Sequence, residues 1–303
     1  MIHNIESGCV QNLDVLNLIS RDNMSSATLH VVATPIGNMD DITVRALKVL
    51  AAVDLIAAED TRHTRTLLAH HGIDKPLVAL HEHNEEQSAP HLVKKLSGGL
   101  SIALVSDAGT PLLSDPGFRL VRLAAAAGIT IVAIPGASAV TAALSISGLA
   151  TDRFLFEGFL PPKQFARIGL LESLRDEQRT VVFFESSHRI EACLRDMKSV
   201  LGRDRQVAIC REMTKQFETV LRGNLAELCE RVEGDPNQRK GEFVIVLAGG
   251  ELEYSGAMSK ALNLGRALQE YLSMSQASRV AAKVYDVSRR EVYECLEQHR
   301  DRG

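Results

Sequence analysis

A chain of 303 residues with 45 % hydrophobic content has material for more than one core, and its net charge of −4 excludes a global positive field that would draw it to a polyanion. Aromatic residues at 4 %, with no Trp, exclude a module that grips single strands mainly by base stacking. Cys9, Cys193, Cys210, Cys229 and Cys295 form no C-x-x-C pair, which excludes a zinc ribbon or thioredoxin-like motif and fits a reducing, cytoplasmic setting.

Residues 1–27 read as an irregular polar leader without the basic start and apolar core of a signal peptide, and Met24 is a candidate native start. The first strand-like run, 29–33, ends in the loop Thr34-Pro35-Ile36-Gly37-Asn38. Asp40 or Asp41 is placed to cap a helix carrying Val44, Leu47, Val49 and Leu50 at helical spacing. Residues 55–58, 77–80, 102–105 and 129–134 are further short apolar strands with helical patterns between them. Such alternation predicts an α/β domain over 28–150 whose mostly parallel sheet is covered on both faces. The stretch 123–150 has no charged side chain and is long enough to cross a bilayer. Pro135-Gly136 interrupts it, and Ser138, Thr141, Ser145 and Ser147 follow, so it reads as helix end, buried strand, tight turn and buried helix, not as a membrane span.

A boundary is expected near 148–151. Beyond it, strands at 180–184 and 206–210 flank a helix at 188–201, and 218–223 and 242–247 read as more strands, giving a mixed second α/β domain over 151–250. Residues 249–259 read as a linker. The segment 260–303 is helical by pattern: a helix at 275–286, a turn at Val287-Ser288 with Ser288 as N-cap, and a helix at 289–296, together a helix-turn-helix signature. From 255 onward there are 8 Lys+Arg against 6 Asp+Glu, so this is the net-basic part of the chain, weakly.

Three small-residue loops carry the chemistry. Ser106-Asp107-Ala108-Gly109-Thr110-Pro111 follows the strand at 102–105, where α/β sheets bind ligands. It is neither a P-loop nor G-x-G-x-x-G. Small residues let a ligand approach the backbone, and the Asp107 carboxylate can accept ribose or amine hydrogen bonds; the plain alternative is a Gly-Pro turn. The loop at 34–38 and Pro135-Gly136-Ala137-Ser138-Ala139 leave the same side of the sheet, with Ser138 a candidate helix cap. Three such loops together build a cleft.

Charged clusters fall at predicted strand ends: Glu59, Asp60, Arg62 and His63; Glu185 and His188; Arg211, Glu212, Lys215 and Glu218. Each could be solvated or paired. Glu185 as proton acceptor with Lys215 as stabilising cation is the preferred catalytic pair, with Asp60 and Arg62 behind it. In a strand His81 and His83 of His81-Glu82-His83 share a face, but a third ligand is lacking by spacing, so no metal site is expected. Lys163, Arg167, Arg175, Arg179 and Arg189 could hold an RNA backbone or form a solvated mixed-charge surface.

The ordered series TPIGNMDDIT, AEDTRHT, SDAGTPLLSDPG, IPGASA, FEGFLPPK, FFESSHR, REMTKQFE and KGEFVIVL resembles the tetrapyrrole-methylase superfamily and, within it, the ribosomal small-subunit methyltransferase I family. The resemblance covers 28–250, and the helical tail is similar to that family's C-terminal extension. It implies the two-domain α/β tetrapyrrole-methylase fold, a homodimer, and S-adenosylmethionine (SAM) between the domains, with neither metal nor membrane. It also implies methyl transfer to the 2′-hydroxyl of a decoding-centre cytidine in 16S rRNA of the small ribosomal subunit, cytidine 1402 in the family's rRNA numbering. Carried over by motif, SAM contacts fall on Asp107, Ala108, Gly109 and Thr110, on Ser138 and Ala139, near Phe184 and Met213, and on Pro35 of the first loop. The alternative within the fold is a tetrapyrrole methyltransferase of the precorrin or uroporphyrinogen kind. The alternative of another class is a ligand-sensing DNA-binding regulator, weakened by Glu291, Glu294 and Glu297 on the would-be recognition helix.

Overall fold

In the computed structural model, strands β1 (Thr28–Val32), β2 (Leu55–Ala58), β3 (Leu77–Ala79), β4 (Ile102–Val105) and β5 (Thr130–Ile134) pair in parallel in the order β3-β2-β4-β1-β5. The described residues are 27–250 and 256–300; the leader reading, with Cys9 and Met24, lies outside them. The strands are short apolar runs because helices cover both faces. Helices α1 (Val44–Ala52) and α2 (Thr61–His70) pack Ala46, Leu50 and Leu68 on Val32, Ile56 and Ala103. Helices α3 (Glu85–Ser97) and α4 (Phe118–Ala126) pack Leu92, Leu96 and Leu120 on Leu29, Ile102 and Leu104. A parallel sheet brings all strand carboxyl ends to one edge, so the loops after β1, β4 and β5 emerge together.

The charge-free stretch divides as expected into the end of α4, β5, a tight turn and α5 (Ala139–Ser147). Among the described residues no helix is long and apolar enough to cross a membrane. Being the edge strand, β5 is half exposed where a buried strand was expected. Two caps also differ. Asp40 and Asp41 belong to a 3-10 turn that Asn38 caps, and Thr43 caps α1, its Oγ1 accepting from Ala46 N at 3.1 Å. Ser138 occupies the N-cap of α5 without bonding the helix through its side chain.

The second sheet holds β6 (Phe154–Phe159), β7 (Thr180–Ser186), β8 (Gln206–Arg211), β9 (Thr219–Asn224) and β10 (Glu242–Leu247) in the order β6-β7-β10-β8-β9. β6 runs parallel to β7 and the other pairs are antiparallel. One face packs on α6 (Gln164–Ser173), α7 (Ile190–Leu201) and α8 (Leu225–Gly234). On the other lies α5, whose Val140, Ala143 and Leu144 meet Val182, Ala208 and Val244. The sequence reading lacked β6 and α8. In β6 the apolar run breaks at Glu157-Gly158, where the strand bulges and Gly158 takes φ +67°. α8 opens on a capping box between Asn224 and Glu227.

Both sheets belong to one compact unit, the described residues through Leu174 with Arg179–Ala248. A second unit takes Arg175–Gln178 and the described residues from Gly249 onward. In it α9 (Gly256–Leu268), α10 (Met274–Tyr285) and α11 (Arg289–Arg300) enclose Met258, Leu262, Ala281, Val292 and Leu296. The expected pair at 275–286 and 289–296 matches α10 and the start of α11, and Ser288 Oγ accepts from Glu291 N at 3.4 Å. α9 begins at Gly256, inside the segment read as linker.

Arg167 is not a surface cation. It is 5 % exposed, its Nε and Nη2 each 2.7 Å from Asp196 Oδ2, while Nη1 donates to the Pro161 and Pro162 carbonyls. Removing the carboxylate strands a buried guanidinium. Asp196→Ala is expected to lower unfolding free energy by about 3–5 kcal/mol in urea titration, against about 0.5 kcal/mol or less for Lys163→Ala at its exposed neighbour.

Candidate active site at the carboxyl edge of the first sheet

Thr34 and Gly109 exchange two backbone hydrogen bonds, Thr34 N to Gly109 O at 2.8 Å and Gly109 N to Thr34 O at 3.0 Å. Thr34 Oγ1 also donates to Ser106 O at 3.1 Å, so the loop after β1 is fastened to the loop after β4. Thr110 Oγ1 donates to Ala137 O at 3.1 Å and fastens the loop after β5. Gly109 takes φ +84°, and a Cβ there would sit 3.3 Å from Ile36 Cγ2; glycine is what lets these loops approach.

The second sheet reaches the same place through the turn between β8 and β9. A Cβ on Gly37 would lie 2.6 Å from Lys215 Cγ and 3.0 Å from Met213 O, so that turn rests directly on the first loop. Asn38 N donates to Thr214 Oγ1 at 3.1 Å. Between the loops is an open hollow of about 420 Å³ lined by Ile36, Thr43, Gly136, Ser138, Thr141 and Thr214. Leu112, Ser114, Glu212 and Thr214, four of the five non-glycine residues with positive φ among the described residues, lie in the loop after β4 and in the β8–β9 turn. Backbone strain of this kind collects where a binding geometry is built.

A carboxylate cluster stands at the β2 and β4 ends. Asp107 N donates to Glu59 Oε2 at 3.2 Å, and Asp60 N donates to Asp107 Oδ1 at 3.0 Å. Burial, helped by the charges of Glu59 and Asp107, pushes the Asp115 carboxyl up to about 6. Burial also raises Glu59.

The family model for tetrapyrrole (corrin/porphyrin) methylases matches residues 28–229. A protein from Xylella fastidiosa strain Temecula1 named ribosomal RNA small subunit methyltransferase I is 52 % identical over 88 % of this chain and 97 % of its own length. One of the same name from Escherichia coli O157:H7 is 48 % identical over 92 % of this chain and 98 % of its own. The chain belongs to the tetrapyrrole methylases, in the ribosomal RNA small subunit methyltransferase I family. Solved structures carry the same fold at low identity: a diphthine synthase at TM-score 0.57 and 19 % identity over 73 % of this chain and 90 % of that one. A uroporphyrin-III C-methyltransferase from Thermus thermophilus gives 0.52 and 19 % over 73 % and 94 %.

In this tetrapyrrole methylase, of the residues expected to contact the donor, Ser138 lines the hollow and the others lie in the joined loops and the apolar layer beside it. Ala108 is exposed, Asp107, Thr110, Ser138 and Ala139 are half-buried, and Pro35 and Gly109 are buried in the loop junction. Met213 and Phe184 join the apolar layer beneath α5, with Phe184 against the rings of Phe156 at 4.9 Å and Phe159 at 5.6 Å.

The preferred catalytic pair is not assembled. Strand alternation turns Glu185 to the α7 side with Val181 and Phe183, away from Phe184. Its side chain is buried, with Oε2 2.8 Å from Cys193 Sγ and 3.2 Å from Arg189 Nη2. Lys215 Nζ instead lies 3.0 Å from Glu212 Oε1 and 2.7 Å from Glu242 Oε2. Although burial opposes it, these two carboxylates raise the Lys215 pKa. Asp60 and Arg62 form a local pair, Nη2 to Oδ2 at 2.6 Å, while Asp60 caps α2; hydrogen bonds from Arg62 hold Asp60 well below its usual range. Arg211, buried, donates to the Lys240 and Phe217 carbonyls and clamps the β8–β9 turn.

Asp115 and Thr214 were missed. The signal for Asp115 was present: Ser106-Asp107 recurs as Ser114-Asp115 within one motif.

The raised Asp115 pKa gives a stability test. An unfolded aspartate titrates near 3.8, so the fold prefers the protonated form and loses that preference as pH climbs from there through about 6. Asp115→Asn is expected to melt above wild type at about pH 8, with the gap closing towards about pH 4. Thermal melts across that range check this, and a gap independent of pH contradicts it.

Proposed function

We propose that this protein transfers a methyl group from S-adenosylmethionine to the 2′-hydroxyl of a decoding-centre cytidine in 16S rRNA, acting in the cytoplasm as a homodimer on the small ribosomal subunit. The observation that carries the reading is the junction of small-residue loops at Thr34, Gly109 and Ala137, with a carboxylate cluster at one end, in a chain about half identical to rRNA methyltransferases.

The residues fit the donor. Its sulfonium and ammonium are cationic, matching Glu59, Asp107 and Asp115, and its carboxylate matches the N-terminus of α5, where Ser138 leaves its hydroxyl uncommitted to a cap. S-adenosylmethionine supplies a methyl already activated on sulfur. The chain's part is alignment and proton management. Gly37, Gly109 and Gly136 let the backbone come close, and Asp107 through Thr110, Ser138, Ala139, Phe184, Met213 and Pro35 shape the cleft. A ribose hydroxyl is a poor acid, so a carboxylate with raised proton affinity, Glu59 or Asp115, is suited to take its proton. Lys215, Asp60 and Arg62 act as positioning groups at the loops that border the cleft, and Glu185 ties β7 to α7 on the opposite face of the second sheet.

The test is tritiated S-adenosylmethionine with small subunits from cells lacking this gene, followed by mapping of alkali-resistant linkages. Label is expected at one decoding-centre cytidine, and deproteinised rRNA is expected to react more slowly because a chain of net charge −4 draws affinity from a folded surface. No label in RNA from a protein that binds the donor overturns the substrate assignment.

A further inference from the structure

The exposed face of α10 carries a pattern that the cleft does not use. Gln276, Arg279, Val280, Lys283 and Val284 face solvent, while Ala277, Ser278, Ala281 and Ala282 pack inward. Arg279 and Lys283 form no ion pair or side-chain hydrogen bond among the described residues. Arg289, at the start of α11, donates from Nη2 to Ser275 Oγ at 3.0 Å, which brings a third cation to the same edge. Positions 275, 279 and 283 repeat every four residues, so the cations stand in a row with steps of roughly 6 Å along the helix axis. That step is comparable to the spacing of neighbouring phosphates along one nucleic-acid strand.

Beside the row, Val280 and Val284 are 40 % and 59 % exposed, an apolar margin suited to sugar edges. α10 itself has no acidic residue. The nearest acids are Asp286, exposed just past the end of α10, and Glu291, Glu294 and Glu297, exposed on α11, where Glu294 is paired with Arg290. α10 therefore carries cations and no acid while α11 carries both signs, which runs against the usual arrangement in which the last helix of a helix-turn-helix enters the groove.

We infer that the α10 face, through Arg279, Lys283 and the Ser275-anchored Arg289 from the start of α11, grips the sugar-phosphate backbone of ribosomal RNA, and that the glutamates of α11 turn away from it. The inference rests on the rRNA reading for its partner, but its test does not depend on methyl transfer. The cleft edge carries Glu59, Asp107 and Asp115 and repels phosphate, so backbone affinity has to come from elsewhere, and this row supplies it.

The experiment uses the full chain and purified small ribosomal subunits, with Arg279→Gln plus Lys283→Gln as the variant. Gln keeps helix propensity, and both positions are exposed, so the thermal melt should not move. Direct binding across a salt series should show affinity down at least tenfold, and the slope of log affinity against log salt shallower by about 1.4–1.8, the share of two phosphate contacts. The KM for subunits should rise in parallel, with the S-adenosylmethionine Kd and kcat unchanged. Glu291→Gln plus Glu294→Gln on α11 should not weaken binding. Unchanged affinity and slope in the α10 variant overturn the inference, as does a change confined to the protein's own oligomeric state. Failure of the wild type to methylate RNA, with the salt slope still dependent on Arg279 and Lys283, would sink the proposed function and leave this surface standing.

Discussion

The two backbone hydrogen bonds between Thr34 and Gly109 set the geometry on which the site depends. They join loops from neighbouring strands that a parallel sheet delivers to the same edge but does not otherwise connect. Once they form, the Thr34 hydroxyl meets Ser106 O, and Thr110 can reach Ala137 O. Gly109 at φ +84° is the condition for this closure, since a side chain there would press on Ile36 and strain the backbone. A second pair of bonds, Asp107 N to Glu59 and Asp60 N to Asp107, ties β2 to β4; burial, with these carboxylates adding to it, raises the proton affinity of Asp115.

The second sheet is brought to this edge by packing and by strain. α5 leaves the cleft at Ser138 and lies across Val182, Ala208 and Val244, so one helix belongs to the site and to the neighbouring core. The β8–β9 turn meets Gly37 at van der Waals distance, with Glu212 and Thr214 in left-handed conformations that Arg211 holds from beneath. Lys215, with Glu212 and Glu242, fixes the outer side of that turn. Polar groups that look catalytic by composition are thus in large part the fastenings of loops.

The strands at 29–32, 55–58, 102–105 and 242–247 were legible because burial on both faces demands unbroken apolar runs. The three cleft loops were legible for the complementary reason, that Gly and Pro punctuate such runs where the chain must turn. β6 was not, because Glu157-Gly158 breaks its pattern at a bulge that only pairing with β7 explains. The cap of α1 was read as Asp40 or Asp41, but both are taken up in a 3-10 turn, which leaves Thr43 to cap the helix. Long-range partners were beyond reach: Arg167 looks like a surface cation until Asp196, 29 residues away, buries it. Glu185 was on the wrong side for its expected role because strand alternation fixes its side relative to Phe184, while the face turned to the cleft depends on where α5 lands.

Charge divides the labour of the molecule. The cleft edge is acidic and suits a cationic methyl donor; the helical unit presents a short basic row on α10, a helix without an acidic residue of its own. The central claim, that the loops gathered by the Thr34–Gly109 bridge are the donor site, is tested most directly by hydrogen–deuterium exchange with and without saturating S-adenosylmethionine. Slowed amide exchange is expected at 34–38, 106–110, 136–141 and 212–215. Donor binding that protects other segments while these loops exchange as before would contradict it.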